Sequence, residues 1–152
     1  MTVERSIDLP CPVEEAWDVL TRWERQADWM LDADSIVVRS ERRTGVGVRL
    51  DVRTRLFQIP AFTEPMEVTM WDPPRSLEIT HGGPVQGRGT WSLDPIVGGV
   101  RFTWTEEVAL RTPVLGALAA AVYAPLMRSL MGRAQRGLKC LIIASGPSAP
   151  SR

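Results

Sequence analysis

The sequence predicts an α+β domain. A seven-stranded curved antiparallel sheet wraps around a long C-terminal helix, with two short helices after strand 1. Two observations carry this reading. Apolar residues alternate with polar ones in segments up to about residue 108, the period of half-buried strands. Beyond Pro113 the apolar spacing becomes helical and stays so to about Ile142.

The first strand runs from Val3 to Leu9, with Val3, Ile7 and Leu9 on one face and Arg5 as the exception. Pro10 and Pro12 end it. Pro12 suits a first helical turn, and Glu14 and Glu15 suit the positive end of a helix dipole. One short helix is expected over Val13 to Leu20 and a second over about Arg22 to Met30, with Asp32 and Asp34 in the exit turn. Ser35 to Arg42 reads as a strand. From Val46 to Phe57, Val48, Leu50, Val52, Thr54 and Leu56 oppose Arg49, Asp51, Arg53 and Arg55, giving one apolar and one solvated face. Pro60 is expected to break that run. Met66, Val68 and Met70 then alternate with Glu67, Thr69 and Trp71, which puts Trp71 on the polar face. Turns follow at Asp72-Pro73-Pro74-Arg75 and Gly82-Gly83-Pro84, because proline cannot donate to a strand ladder.

Leu77, Ile79 and His81 share a face of the fifth strand, and Gly89, Trp91 and Leu93 a face of the sixth. Gly98-Gly99 closes a hairpin to the seventh, where Val100, Phe102, Trp104, Glu106 and Val108 align. In the long helix, Met127, Leu130, Met131, Ala134, Leu138, Leu141 and Ile142 form the apolar stripe, with a kink expected at Pro125. The sheet's apolar face needs cover, and this helix is long enough to supply it. Residues 1–145 are thus expected to form one domain, and residues 146–152 a disordered tail.

Composition narrows the function. The 152 residues are 44% hydrophobic and 24% charged, with zero net charge, which argues against nucleic acid as a partner. The basic residues are nearly all Arg, which fits codon bias in a GC-rich bacterial genome. No secretory signal opens the chain, so Cys11 and Cys140 are expected as reduced thiols in the cytoplasm. His81 is the only histidine and no cysteine pair has zinc-ligand spacing, so no metal is expected. Nucleotide-binding and hydrolase motifs are missing, and no cofactor is expected. Thr112 to Met127 is uncharged but shorter than the ~20 residues that span a bilayer, and Pro113, Gly116 and Pro125 interrupt it, so stable membrane insertion is not expected.

Three stretches carry a family likeness. Ser6-Ile7-Asp8-Leu9-Pro10-Cys11-Pro12-Val13-Glu14-Glu15-Ala16-Trp17 is a strand-then-helix opening. Trp71-Asp72-Pro73-Pro74-Arg75-Ser76-Leu77 is a mid-chain turn. Trp91-Ser92-Leu93-Asp94-Pro95 followed by Gly98-Gly99-Val100-Arg101-Phe102 is a late hairpin. In their order and spacing, the chain resembles the SRPBCC or START-like superfamily, and within it the polyketide cyclase/dehydrase-like group, from about Val3 to Ile143. The resemblance implies the helix-grip fold of START proteins and birch-pollen allergens, with a cavity between sheet and helix. The superfamily includes lipid and sterol carriers, plant allergens, aromatic polyketide cyclases, quinone-binding proteins and co-chaperones, so it implies a cavity more firmly than an activity.

Candidate ligand contacts come from the inner face: Leu50 and Val52, Val68 and Met70, Ile79, Trp91, Phe102 and Trp104 on the strands. Tyr123, Met127 and Met131 add contacts from the helix, and Trp29 with Met30 forms a lid. Trp and Met offer large, adaptable apolar area. Their bland reading is core filling. The segment Pro113 to Tyr123 reads equally as a mobile apolar mouth or a packed first half of the helix. Arg49, Arg53 and Arg55 line an outer face that is most simply solvated.

Pairing Leu93 with Val100 sets Trp91 opposite Phe102, Gly89 opposite Trp104 and Gly87 opposite Glu106, with Gly87 also beside His81. His81 and Glu106 then share a level, two strands or roughly 9.5 Å of backbone apart. They are candidate catalytic residues, a general base with its orienting carboxylate, or a pair that clasps a polar group of a ligand; the bland reading sets both at the open end of the sheet, solvated or hydrogen-bonded to backbone. The leading expectation is a carrier or binding protein for an apolar or aromatic ligand, lipid, polyketide or quinone-like. Alternatives are a cyclase or dehydratase using His81 and Glu106, and an interaction module of co-chaperone or toxin-like type. The oligomeric state is not legible.

Overall fold

A computed structural model describes residues 1–30, 32–56, 59–83, 86–109 and 113–146. The side chains of 56, 59–62, 109 and 113–120 fall outside that description, as does the expected tail at 147–152. The elements are β1 (Thr2–Leu9), α1 (Val13–Leu20), a 3-10 segment (Trp23–Asp28), β2 (Ala33–Val38), β3 (Arg49–Leu56), β4 (Ile59–Asp72), β5 (Ser76–Gly82), β6 (Gln86–Ile96), β7 (Gly99–Ala109) and α2 (Pro113–Ser145). The strands form one antiparallel sheet in the order β1-β7-β6-β5-β4-β3-β2. Strands β2 to β7 are a meander, and β1 returns beside β7.

The inner face is buried where α2 covers it and where its own aromatics pack together. Met131, Ala134, Leu138 and Ile142, at spacings of three and four, are all buried, while Arg133 and Arg136 are exposed. Gln135 is buried too, and its Nε2 donates to the Arg5 carbonyl at 2.9 Å. That bond fastens α2 to the edge strand β1. The Arg5 guanidinium lies against Gly132, where an added Cβ would come within 3.2 Å of Cζ. This contact accounts for the charged interruption of the β1 pattern. Further along, Gly137 lets the helix pass over the Trp29 backbone; a Cβ there would meet the Trp29 carbonyl oxygen at 2.9 Å.

Below α2, the Trp91 ring lies 6.0 Å from Trp29, 5.9 Å from Phe102 and 5.8 Å from Trp104 between centroids. Offset and edge-on pairs at this range add to the apolar burial of each ring. A second aromatic group forms under α1, where Trp71 lies 4.9 Å from Trp17 and 6.1 Å from Trp23.

Trp71 is therefore inward, and Met70, expected at the ligand face, is 38% exposed. The pairing of β4 with β5 shifts between Val68 and Met70, and this bulge reverses the alternation beyond it. The β3 run ends at Leu56 and β4 begins at Ile59, so the break expected at Pro60 falls just before it and Pro60 lies within β4. Strand β2 begins at Ala33 and ends at Val38, and β3 begins only at Arg49.

The β6–β7 register is two residues from the one expected. Leu93 pairs with Phe102, Trp91 with Trp104, Gly89 with Glu106 and Gly87 with Val108. The cause is the turn: β6 continues through Pro95 to Ile96, which pairs with Gly99, and only Val97 and Gly98 reverse the chain. Gly98 has φ +82°, a conformation that glycine adopts without steric cost. A two-residue shift preserves the face of every side chain.

Among the described residues no helix is long and apolar enough to cross a membrane. Arg39 pairs with Asp51 at 2.7 Å and Arg53 with Asp34 at 3.6 Å, so these outer-face arginines are matched by carboxylates.

Leu138 is fully buried where α2 meets the sheet. Leu138→Ala is expected to destabilise the fold by ~2–5 kcal/mol, read as a lower urea midpoint at unchanged slope.

Candidate functional site

A cavity of about 310 Å³ lies where the N-terminal part of α2 meets the sheet. Tyr123, Leu126, Met127 and Leu130 line it from the helix. Val52 on β3, Met66 on β4, and Trp104 and Val108 on β7 line it from the sheet, with Met30 and Ala33 beside them. A smaller space of about 60 Å³ adjoins it, reaching Leu50, Ile79 and Trp91. Both spaces are bounded by Met30, Val52, Met66, His81, Trp104 and Glu106.

Three charged side chains meet in this apolar setting. His81, near the end of β5, pairs across the strands with Met66 on β4 and Gly87 on β6. Its Nε2 is 3.2 Å from Glu106 Oε2, and its Nδ1 is 3.4 Å from Glu64 Oε2. Glu64 and Glu106 are 7% and 6% exposed, so the imidazole is bracketed by two buried carboxylates. The remaining Glu106 oxygen, Oε1, accepts the Trp104 indole N–H at 2.7 Å. Glu64 Oε1 is buried and has no hydrogen-bond partner among the described residues.

Glycines make the space for both carboxylates. A Cβ on Gly89 would lie 2.7 Å from Glu106 Oε1, and a Cβ on Gly83 would lie 2.9 Å from Glu64 Cγ. Glu106 crosses β6 over Gly89 to reach His81, a role the sequence register assigned to Gly87. At Gly87 an added Cβ would lie 2.1 Å from the Glu107 carbonyl oxygen, so that position requires close backbone approach instead.

The electrostatics follow from this packing. Burial, the largest single influence on His81, opposes its charged form. The contacts and charges of Glu106 and Glu64 together outweigh burial and raise the pKa from 6.5 to about 10. His81 is thus an imidazolium at neutral pH. Burial, then the charges of Glu106, Glu64 and Asp32, push the Tyr123 phenol up to about 12, so it stays neutral. The Asp32 carboxyl is also raised, by burial and then by the charge of Glu106. Arg55 lines the cavity as well, because a register shift between Thr54 and Arg55 breaks the β3 alternation; its guanidinium is bonded to Asp34.

The sequence-predicted residues divide into three groups. Met30, Val52, His81, Trp104, Glu106, Tyr123 and Met127 border the larger cavity, and Leu50, Ile79 and Trp91 the smaller one. Trp29, Val68, Phe102 and Met131 border neither and are buried core residues. Met70 points away. Sequence reasoning missed Glu64 and Met66, although Glu64, Met66 and Val68 sit at period two and a carboxylate in such a row is a legible anomaly. It also read Asp32 only as a turn residue. Backbone from Pro113 onward is helical. Among the described residues no group of three or more His, Cys, Asp or Glu side chains is arranged to hold a metal ion.

A curled seven-stranded sheet gripping one long C-terminal helix is the helix-grip fold. The chain belongs to the polyketide cyclase/dehydrase and lipid transport family, whose model matches residues 1–142. Solved structures agree in fold. TTHA0849 of Thermus thermophilus superposes with a TM-score of 0.79 at 18% identity, covering 96% of this chain and 99% of that one. Ms6760 of Mycobacterium smegmatis gives 0.72 at 16% identity, covering 95% and 92%. DynU16, a protein of the dynemicin biosynthetic locus, gives 0.70 at 16% identity, covering 96% of this chain and 48% of that one. Among curated proteins none matches the sequence.

Two outcomes are expected. His81 is the only histidine, so one imidazole resonance in an NMR titration reports the cluster. It should titrate near 10 in the wild type and markedly lower in Gly89→Ala, whose methyl group displaces the Glu106 carboxylate. The stability contribution has a definite sign. Because the folded pKa of about 10 lies above 6.5, it is fully present below pH 6.5 and is lost as pH rises through about 10. The urea midpoint of the wild type should therefore fall more across that window than that of His81→Gln.

Proposed function

We propose that this protein binds an apolar or aromatic small molecule, lipid, polyketide or quinone-like, in the cavity between its sheet and α2, as a carrier or binding protein. The observation that carries this reading is an apolar cavity of about 310 Å³ with a small set of polar groups converging on it. Ligand sites are generally of this kind, ~300–1,000 Å³ and mostly apolar, with a few polar groups that fix orientation. In this reading Met30, Val52, Met66, Trp104, Tyr123 and Met127 contact the apolar body of the ligand. Membership of a family described by both cyclases and lipid transport is consistent with it.

Binding is favoured over general-base catalysis at His81 by the state of that residue. A general base needs a neutral nitrogen within reach of substrate. Both His81 nitrogens face carboxylates, and its pKa near 10 keeps the proton on. The imidazolium acts here as a counter-ion. Among the described residues the exposed apolar side chains are scattered, Val37 on β2, Val46 before β3, Met70 on β4, Val97 in a turn, and Val122, Leu126 and Ile143 along α2, which gives an interaction module no support.

Native mass spectrometry of freshly purified protein is expected to find a defined apolar molecule at near one-to-one ratio, released on denaturation. Met127→Trp, which fills the cavity from the helix side, should abolish that adduct while leaving the circular dichroism spectrum unchanged. A clean apo mass with no uptake of long-chain alcohols, quinones or aromatic polyketides would overturn the reading.

A further inference from the structure

The cavity carries more negative than positive charge. The ionisable groups facing it are Asp32 before β2, Arg55 on β3, Glu64 on β4, His81 on β5, Glu106 on β7 and Tyr123 on α2, while β6 borders it only with Gly87. Arg55 is bonded to Asp34 and is not available to the centre. Tyr123 is neutral, and Asp32 is biased toward its neutral form by burial and by Glu106. Against one imidazolium stand the carboxylates of Glu64 and Glu106, with Asp32 beside them, a surplus of at least one negative charge. An unmatched charge in an apolar setting is costly, and proteins match such charges with a partner.

A second observation locates the unmatched charge. Glu106 uses both of its oxygens, on His81 and on the Trp104 indole. Glu64 uses only Oε2, on His81. Its Oε1 is buried, lacks a partner among the described residues, and belongs to a residue that is 7% exposed and lines the cavity. Among the described residues Oε1 thus lacks a donor, on a side chain that lines the space holding the rings of Trp104 and Tyr123. Aromatic rings attract cations within about 6 Å.

We propose that the ligand of this cavity is an amphiphilic amine, whose protonated nitrogen donates to Glu64 Oε1 while its apolar or aromatic body fills the space lined by Val52, Met66, Trp104 and Met127. This deepens the small-molecule reading above and rests on it. An alcohol of the same shape satisfies the acceptor but leaves the surplus charge unmatched. A carboxylate adds a second like charge beside Glu64. The cavity therefore selects by charge as well as by shape.

The test is a matched series of naphthylethylamine, naphthylethanol and naphthylacetate, titrated into the full-length protein by isothermal calorimetry. The amine is expected to bind about ten- to a hundredfold tighter than the alcohol, since a charge-assisted hydrogen bond replaces a neutral one. The acetate should bind weakest. In Glu64→Gln the amine should lose that advantage while the alcohol binds as before. The wild-type series stands without the variant, should the variant not fold. Equal binding of amine and alcohol to the wild type, or an amine preference that survives in folded Glu64→Gln, overturns the proposal and leaves the small-molecule reading intact. No uptake of any of the three, together with a clean apo mass and no uptake of long-chain alcohols, quinones or aromatic polyketides, overturns both.

Discussion

One helix must cover the concave side of seven strands, and it does so unevenly. The stripe Met131, Ala134, Leu138 and Ile142 settles onto the sheet, held at its edge by the Gln135 bond to Arg5 and brought close by Gly132 and Gly137. Toward its N-terminus the same helix presents Tyr123, Leu126, Met127 and Leu130 to open space. The cavity exists because close packing ends partway along α2. The aromatic cluster around Trp91 marks that boundary, filled on one side and open on the other.

At the boundary the structure holds something a packed core avoids. Two buried carboxylates and an imidazolium are stable only as a unit, because removing one partner leaves an uncompensated charge. The unit is assembled from β4, β5 and β7, and it depends on glycines in the intervening strand and turn that supply no side chain. Sheet geometry and charge are therefore coupled: a methyl group at Gly89 acts on the titration of His81.

The fold was legible in the sequence because period-two alternation and helical spacing are properties of the chain itself. The contact of His81 with Glu106 was legible for the same reason, since parity survives a two-residue error in register. Parity fails at bulges, and the bulge between Val68 and Met70 exchanged the inner and outer positions of Met70 and Trp71. Nothing in the spacing of those residues announces the extra one. Trp29, Val68, Phe102 and Met131 illustrate a different limit. Apolar patterning identifies a side chain that faces inward, but only the path of the covering helix decides whether it meets a neighbour or a void. Glu64 was recoverable: it sits in register with Met66 and Val68, but the proline-rich stretch around it obscured the strand.

The Trp104 indole is both a wall of the cavity and the donor to Glu106, and it stands 5.8 Å from Trp91, itself 6.0 Å from Trp29. Excitation passes readily between indoles at such separations. The molecule therefore contains its own optical probe: whatever enters the cavity alters the surroundings of Trp104 and, through Trp91, the emission of these three indoles.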